Sequence, residues 1–184
     1  MKKNNSKFIS LLLRHKPELI DLNMDVRGWV PVNELLKLSK SKKNIEITME
    51  ELEDIVENND KKRFSFNYDK TKIRANSGHS LKWVQVELKD VTKSCPGILY
   101  HGTAEKTLDD IFHPNRGGIR KMNRNHCNLS ETVDTAKKVG SRHGKPVILE
   151  ILVRKLTDDG HKVYKSENGV YLMDYIPIGY FRKV

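Results

Sequence analysis

With 184 residues and 37% hydrophobic content, the chain can build one packed domain or two small lobes that share an interface. Its 34 Lys and Arg against 24 Asp and Glu leave a formal charge of +10, which suits a polyanionic partner through phosphate neutralisation. Cys95 and Cys127 stand at no metal-ligand spacing, which argues against a zinc site or a disulfide framework; Arg14 and His15 break the N-terminal apolar run too early for a signal peptide, and no stretch reaches membrane-span length, so the expectation is a soluble, cytoplasmic protein in a reducing compartment.

Along the chain, Ser6 is the expected cap of a first helix with Phe8, Ile9, Leu12 and Leu13 on its buried side, and Pro17 is its stop. "DVRGWV" places a turn glycine, Gly28, before Trp29. "VNELLKLSK" reads as a second short helix. "TMEELEDIVENND" reads as a third, with a Thr48–Glu51 capping box and an apolar stripe of Met49, Leu52, Ile55 and Val56. "RFSFNYDKTKIRANSG" alternates around Asp69–Lys70 as a β-hairpin does. Three helices and a hairpin predict a winged-helix lobe over 1–92.

"LKDVTKSCPG" reads as a linker, with a boundary near 91–97, and a second lobe is expected over 97–184. There "ILYHGT" is a strand and "AEKTLDDIF" a helix. "HPNRGGIRKMNRNH" is a basic, glycine-bearing loop and "CNLSE" a short strand. "TVDTAKKVGSRHG" is a helix, "PVILEILV" a β-branched strand, and "HKVYKSENGVYLMDYIPIGYF" supplies two or more final strands. The fold class expected is α+β, and the sequence holds neither an internal repeat nor a low-complexity segment.

Four stretches could carry chemistry. In "LLLRHKP" an apolar helix ends on Arg14 and His15. Cations suit the negative end of a helix, and they equally suit a phosphate. In "KIRANSGHS", Arg74 at a strand end precedes a small, polar loop that could present N–H groups to an anion, or that is a plain hairpin exit. In "YHGT", His101 could hold a sugar hydroxyl, Gly102 permits close backbone approach, and Thr103 could bond a ligand or cap the next helix; a structural His is the plainer alternative. In "KVGSRHGKP", Arg142 and His143 lie between glycines at a helix exit, which a Gly-type helix end with solvated cations also explains. "SENGVYL" is a turn feeding a strand.

Taken in order, "KFISLLLRHKPE", "GWVPVNELL", "KKRFSF", "IRANSGHS", "LYHGT", "NLS", "AKKVGSRHGKPVIL" and "SENGVYL" resemble the RNA 2′-phosphotransferase family from about Ser6 to about Phe181. These are the NAD-dependent enzymes that remove an internal 2′-phosphate from spliced tRNA. The resemblance implies an N-terminal winged-helix lobe that binds RNA and a C-terminal lobe of ADP-ribosyltransferase-like fold with a mixed or antiparallel β core. It implies a catalytic set of Arg14, His15, Arg74 and Arg142, and NAD contacts at His101, Gly102, Thr103, Asn128 and Ser130, with the reaction centre in the cleft between the lobes. The family usually shows His in "HLS" where this chain has Asn128. His126, two residues earlier, faces the same side of a strand, and Asn can still hydrogen-bond a ribose hydroxyl.

The chemistry implied by the resemblance has two steps. The RNA 2′-phosphate attacks C1″ of the nicotinamide ribose and expels nicotinamide; ribose O2″ then attacks phosphorus, giving 2′-OH RNA and ADP-ribose 1″,2″-cyclic phosphate. An ionised phosphate needs no general base. That fits an apolar residue, Val170, where protein-modifying relatives of the fold place a Glu; Glu167 nearby reads as structural. The partners expected are RNA with an internal 2′-phosphate and NAD, consumed as co-substrate, with no metal and no membrane, and the chain is expected to act as a monomer. Two other readings are an ADP-ribosyltransferase that modifies phosphorylated nucleic-acid ends or a protein and stops after the first step, and a winged-helix nucleic-acid-binding regulator.

Overall fold

In a computed structural model, which describes residues 2–59 and 62–184, Ile9, Leu12 and Leu13 recur at helical spacing on one face of α1 (Lys2–Arg14) and are fully buried. The helix starts at Lys2, so Ser6 lies within it and is not its cap. The polar residues before Ser6 simply continue the helix. Pro17 has no N–H to extend α1 and instead opens a one-turn 3-10 helix, Pro17–Ile20, whose Ile20 returns to the same core.

Next come β1 (Val30–Pro31), α2 (Val32–Lys43), α3 (Met49–Glu57), β2 (Phe64–Phe66) and β3 (Lys72–Ala75). Asn44, in the left-handed region at φ 53°, ends α2 by donating its N–H to Lys40 O. Thr48 caps α3, its hydroxyl accepting the Glu51 N–H at 3.2 Å. The Glu51 carboxylate accepts from Asn5 Nδ2 at 2.9 Å, which ties α3 to α1. The expected hairpin is β2–β3, turned at Lys70 (φ 56°). The short "VP" run, which carries no readable periodicity, adds β1 on the other side, so β3 is the centre of a three-stranded sheet.

A second unit begins at Leu88; the chain divides as Met1–Glu87 and Leu88–Val184. The stretch read as a linker is partly structured: β4 (Lys89–Asp90) pairs with β9 (Tyr164–Lys165), and the Val91 N–H donates to Val163 O. Between them in the chain lie β5 (Ile98–Ala104), α4 (Leu108–Ile111), β6 (Ile119–Arg120), β7 (Cys127–Leu129), α5 (Val133–Gly140), β8 (Pro146–Leu152) and α6 (Val153–Asp158). β10 (Tyr171–Met173), β11 (Tyr175–Ile176) and β12 (Phe181–Lys183) follow β9. Three expectations are corrected here. The "AEKTLDDIF" helix is a 3-10 turn plus the single turn of α4, the basic loop contains β6, and Val153, read as the end of the "PVILEILV" strand, opens a helix whose other residues the sequence pattern left unassigned.

The sheets run β4-β9-β10-β7, β11-β6 and β12-β8-β5, and every described strand pair is antiparallel. A bridge between Tyr100 and Ser130, with N–H···O bonds of 2.8 Å in both directions, ties β5 to the residue after β7. Leu99, Leu129, Leu149, Ile151 and Leu156 fill the core of this unit.

The packing of α5 on β5 is backbone against backbone. A Cβ on Gly102 would coincide with the Ala136 carbonyl and lie 3.0 Å from Gly140 N; one on Gly140 would lie 2.6 Å from Thr103 O. Gly102 is therefore needed to seat α5, a reason different from the ligand approach expected of it. Gly102→Ala is expected to destabilise the protein by about 1–3 kcal/mol through forced overpacking. Calorimetry checks this, and an unchanged melting temperature would contradict it.

Candidate active site

Arg14 is the last residue of α1, half-buried, with its guanidinium carbon 6.0 Å from the Phe64 ring centroid. The His15 N–H still donates to Leu11 O, so the pair continues the last helical turn. What holds this end is the loop after β3. The Ser80 N–H donates to Arg14 O at 3.0 Å, and Ser80 Oγ lies 2.9 Å from His15 Nδ1. Residues 66 positions apart thus meet at the end of one helix.

Arg74 lies on β3 between Ile73 and Ala75, and all three are buried. Its guanidinium carbon sits 4.4 Å from the Trp29 ring centroid, a cation–π stack. Trp29 is placed by the "DVRGWV" turn. Gly28 adopts φ +80°, and Asp25 Oδ1 accepts the N–H groups of Arg27 and Trp29, both at 2.9 Å. The loop that follows is internal rather than a solvent-facing cradle. Asn76, Ser77 and His79 are buried, the Asn76 N–H donates to Arg63 O, and its Nδ2 donates to Lys62 O and Ser65 Oγ.

In the second unit the structure brings His101, Asn128 and Ser130 together. His101 on β5 bonds the backbone O of Asn128 through Nδ1 at 3.0 Å, and Ser130 is held by the bridge to Tyr100. The Asn128 side chain is exposed, between the buried Cys127 and Leu129. Gly102 is packed on α5. The Thr103 hydroxyl is spent internally: Thr107 Oγ1 donates to Ala104 O, so the 2.7 Å contact between the two hydroxyls is a donation from Thr103. Arg142 is exposed two residues past the end of α5, because the helix stops at Gly140. Its charge acts on Arg124, whose guanidinium is held below its ordinary range first by burial and then by Arg142.

Trp29, Ser80 and Arg124 were not singled out by the sequence pattern, although "GW", "GHS" and the basic loop all contained them. Val170 is half-buried and its carbonyl accepts from the Ser166 N–H and hydroxyl, which shapes the "SENG" turn. Among the described residues, no group of three or more His, Cys, Asp or Glu side chains could hold a metal ion, and no helix is long and apolar enough to cross a membrane.

A family model described as RNA 2′-phosphotransferase, Tpt1/KptA family, matches residues 1–175. The chain belongs to this family. Among its relatives, a Fusobacterium nucleatum protein is 53% identical over 173 residues, covering 93% of this chain and 92% of that protein. One from Flavobacterium johnsoniae is 47% identical, with 97% and 94% covered. One from Trichormus variabilis is 46% identical, with 95% and 92% covered. Each is named "Probable RNA 2′-phosphotransferase".

In this member of the RNA 2′-phosphotransferase family, two groups have clear electrostatic states. Burial pushes the Cys127 thiol up to about 12, so it stays a thiol and is inert. Desolvation of the half-buried ring also pushes His101 below the ordinary imidazole value, and the bond to Asn128 O opposes this only in part. Because a carbonyl can only accept, Nδ1 carries the proton, and the neutral ring keeps Nε2 as an acceptor. The folded state therefore binds fewer protons at this ring than the unfolded chain does. Its contribution to stability is complete above the ordinary value near 6.5 and is lost as pH falls below it. Resolved by NMR, the His101 titration midpoint is expected below about 6.5; a midpoint at or above that value would contradict the burial argument.

Proposed function

We propose that this RNA 2′-phosphotransferase removes an internal 2′-phosphate from RNA by transferring it to NAD. The products are 2′-OH RNA, nicotinamide and ADP-ribose 1″,2″-cyclic phosphate, formed through a 2′-phospho-ADP-ribosylated RNA. The observation that carries the reading is the seating of the Arg14–His15 helix end against the loop that leaves the strand of Arg74. In the N-terminal unit, three helices with a three-stranded antiparallel sheet support a winged-helix lobe that receives RNA. In the C-terminal unit, the antiparallel sheets carrying "YHGT" and "NLS" support an ADP-ribosyltransferase-like lobe that receives NAD. The charge of +10 and the relatives' names agree with a nucleic-acid substrate.

The donor set fits NAD. His101 Nε2 is an acceptor for a sugar hydroxyl, and the exposed Asn128 side chain and Ser130 add polar groups beside it. In the first step, the RNA phosphate is already ionised near neutral pH and attacks C1″ as nicotinamide leaves. Arginines then stabilise the crowded phosphorus centre as O2″ attacks, because a planar guanidinium binds two phosphate oxygens and keeps its charge. Arg14 and Arg74 orient the phosphate, Arg142 serves chiefly in the second step, and His15 donates a hydrogen bond or a proton to the leaving 2′-oxygen. The setting is cytoplasmic.

Incubation with NAD and a short RNA carrying one internal 2′-phosphate, followed by mass spectrometry, tests the reading. Nicotinamide, dephosphorylated RNA and the cyclic phosphate are expected. Persistent ADP-ribosylated RNA would make the protein a transferase that stops after one step, and no nicotinamide release would favour a binding regulator. Arg142→Ala is expected to accumulate the ADP-ribosylated RNA. Arg14→Lys keeps charge and helix propensity but loses the fork; a lost charge-assisted bond of about 2 kcal/mol slows the affected step about 30-fold. A wild-type rate would leave Arg14 as a helix-end cation.

A further inference from the structure

The loop residue Ser80 contacts the end of α1 in three ways. Its N–H donates to Arg14 O at 3.0 Å, its Oγ lies 2.9 Å from His15 Nδ1, and the same Oγ lies 3.5 Å from Arg14 O. The backbone bond alone anchors the loop, and any residue other than proline at position 80 would make it. The hydroxyl therefore has a separate task, and its single proton decides what that task is. Turned toward His15, the hydroxyl satisfies one contact. Turned toward the Arg14 carbonyl, it can also accept from the ring, and both contacts are met.

We propose that Ser80 is a positioning residue that fixes the orientation and tautomer of His15, through a chain in which Nδ1–H donates to Ser80 Oγ and Ser80 Oγ–H donates to the Arg14 carbonyl. The proton-exchanging nitrogen is then Nε2 in every state of the ring, because Nδ1 is held as a donor. The chain ends on a carbonyl of the last turn of α1, where the helix dipole favours the positive ring. His15 is thereby set to give or share a proton at one atom only. Gly78, at φ +83°, and the buried His79 lead the chain into this position, so the hydroxyl is delivered by a defined turn.

The proposal rests on the reading that His15 takes part in the reaction, and the test keeps the two apart. Ser80→Ala preserves the backbone bond, and Ser80→Thr preserves the hydroxyl. In 15N NMR spectra at a pH where the ring is neutral, His15 is expected as the Nδ1–H form in the wild type and in Ser80→Thr. In Ser80→Ala it is expected to shift toward the Nε2–H form, with the melting temperature unchanged. Turnover is expected to fall about tenfold in Ser80→Ala, in kcat rather than KM, with Thr restoring it. An unchanged tautomer in Ser80→Ala overturns the proposal, as does a wild-type kcat in Ser80→Ala when His15→Ala is slow. If His15→Ala itself turns over at the wild-type rate, the catalytic reading of His15 has failed, and the tautomer result alone decides the role of Ser80.

Discussion

Arg74 occupies the central strand of a three-stranded sheet with 8% of its surface exposed, and a guanidinium there would cost several kcal/mol without compensation. Much of the local structure of the N-terminal unit serves that one charge. The Trp29 face lies against it, and Trp29 is held by a turn that needs both the positive φ of Gly28 and the two N–H bonds accepted by Asp25. On the C-terminal side of the same strand, the loop is pinned by Asn76 and then by Ser80 to the end of α1. Because Arg74 sits on a strand between two buried apolar residues, its backbone has little freedom to move, and its direction is set by the sheet.

The C-terminal unit solves a different problem. There the chain must place α5 directly on β5, and it does so by omitting two side chains, Gly102 and Gly140, at the contact. Close packing of this kind leaves the residues that flank the glycines with defined positions. His101 precedes one of them and bonds the neighbouring strand; Arg142 follows the other by two residues and stands in solvent close enough for its charge to act on Arg124. The glycines therefore govern where the His101 and Arg142 side chains stand.

Much of this was legible in the sequence because it follows from periodicity. The three N-terminal helices, the β2–β3 hairpin, β5 and β8 all show apolar spacing that only one element type fits. The rest depended on partners far away in the chain. β1 and β4 are two-residue strands that exist only because β3 and β9 lie beside them. The helix α6 follows a β-branched strand, so its own pattern merged with the strand before it. At the site, "RHK" and "RANSGHS" were readable as charge at element ends, but nothing local distinguishes the Ser80 hydroxyl from any loop serine, or marks Trp29 as the surface on which Arg74 rests. The Thr103 hydroxyl donates its proton to Thr107 four residues on, a contact that depends on the 3-10 turn between them.

The bond between His101 and Asn128 separates two roles that one residue could have carried together. The imidazole is oriented by the main-chain carbonyl of position 128, which every amino acid possesses, while the side chain there projects outward. Exchange of side chains at this position thus leaves the orientation and tautomer of His101 untouched. A substitution there can alter the chemical character of the exposed face of β7 without disturbing the residue next to it. A strand that contributes scaffold through its backbone while its side chain faces outward is open to drift in the second while the first stays fixed.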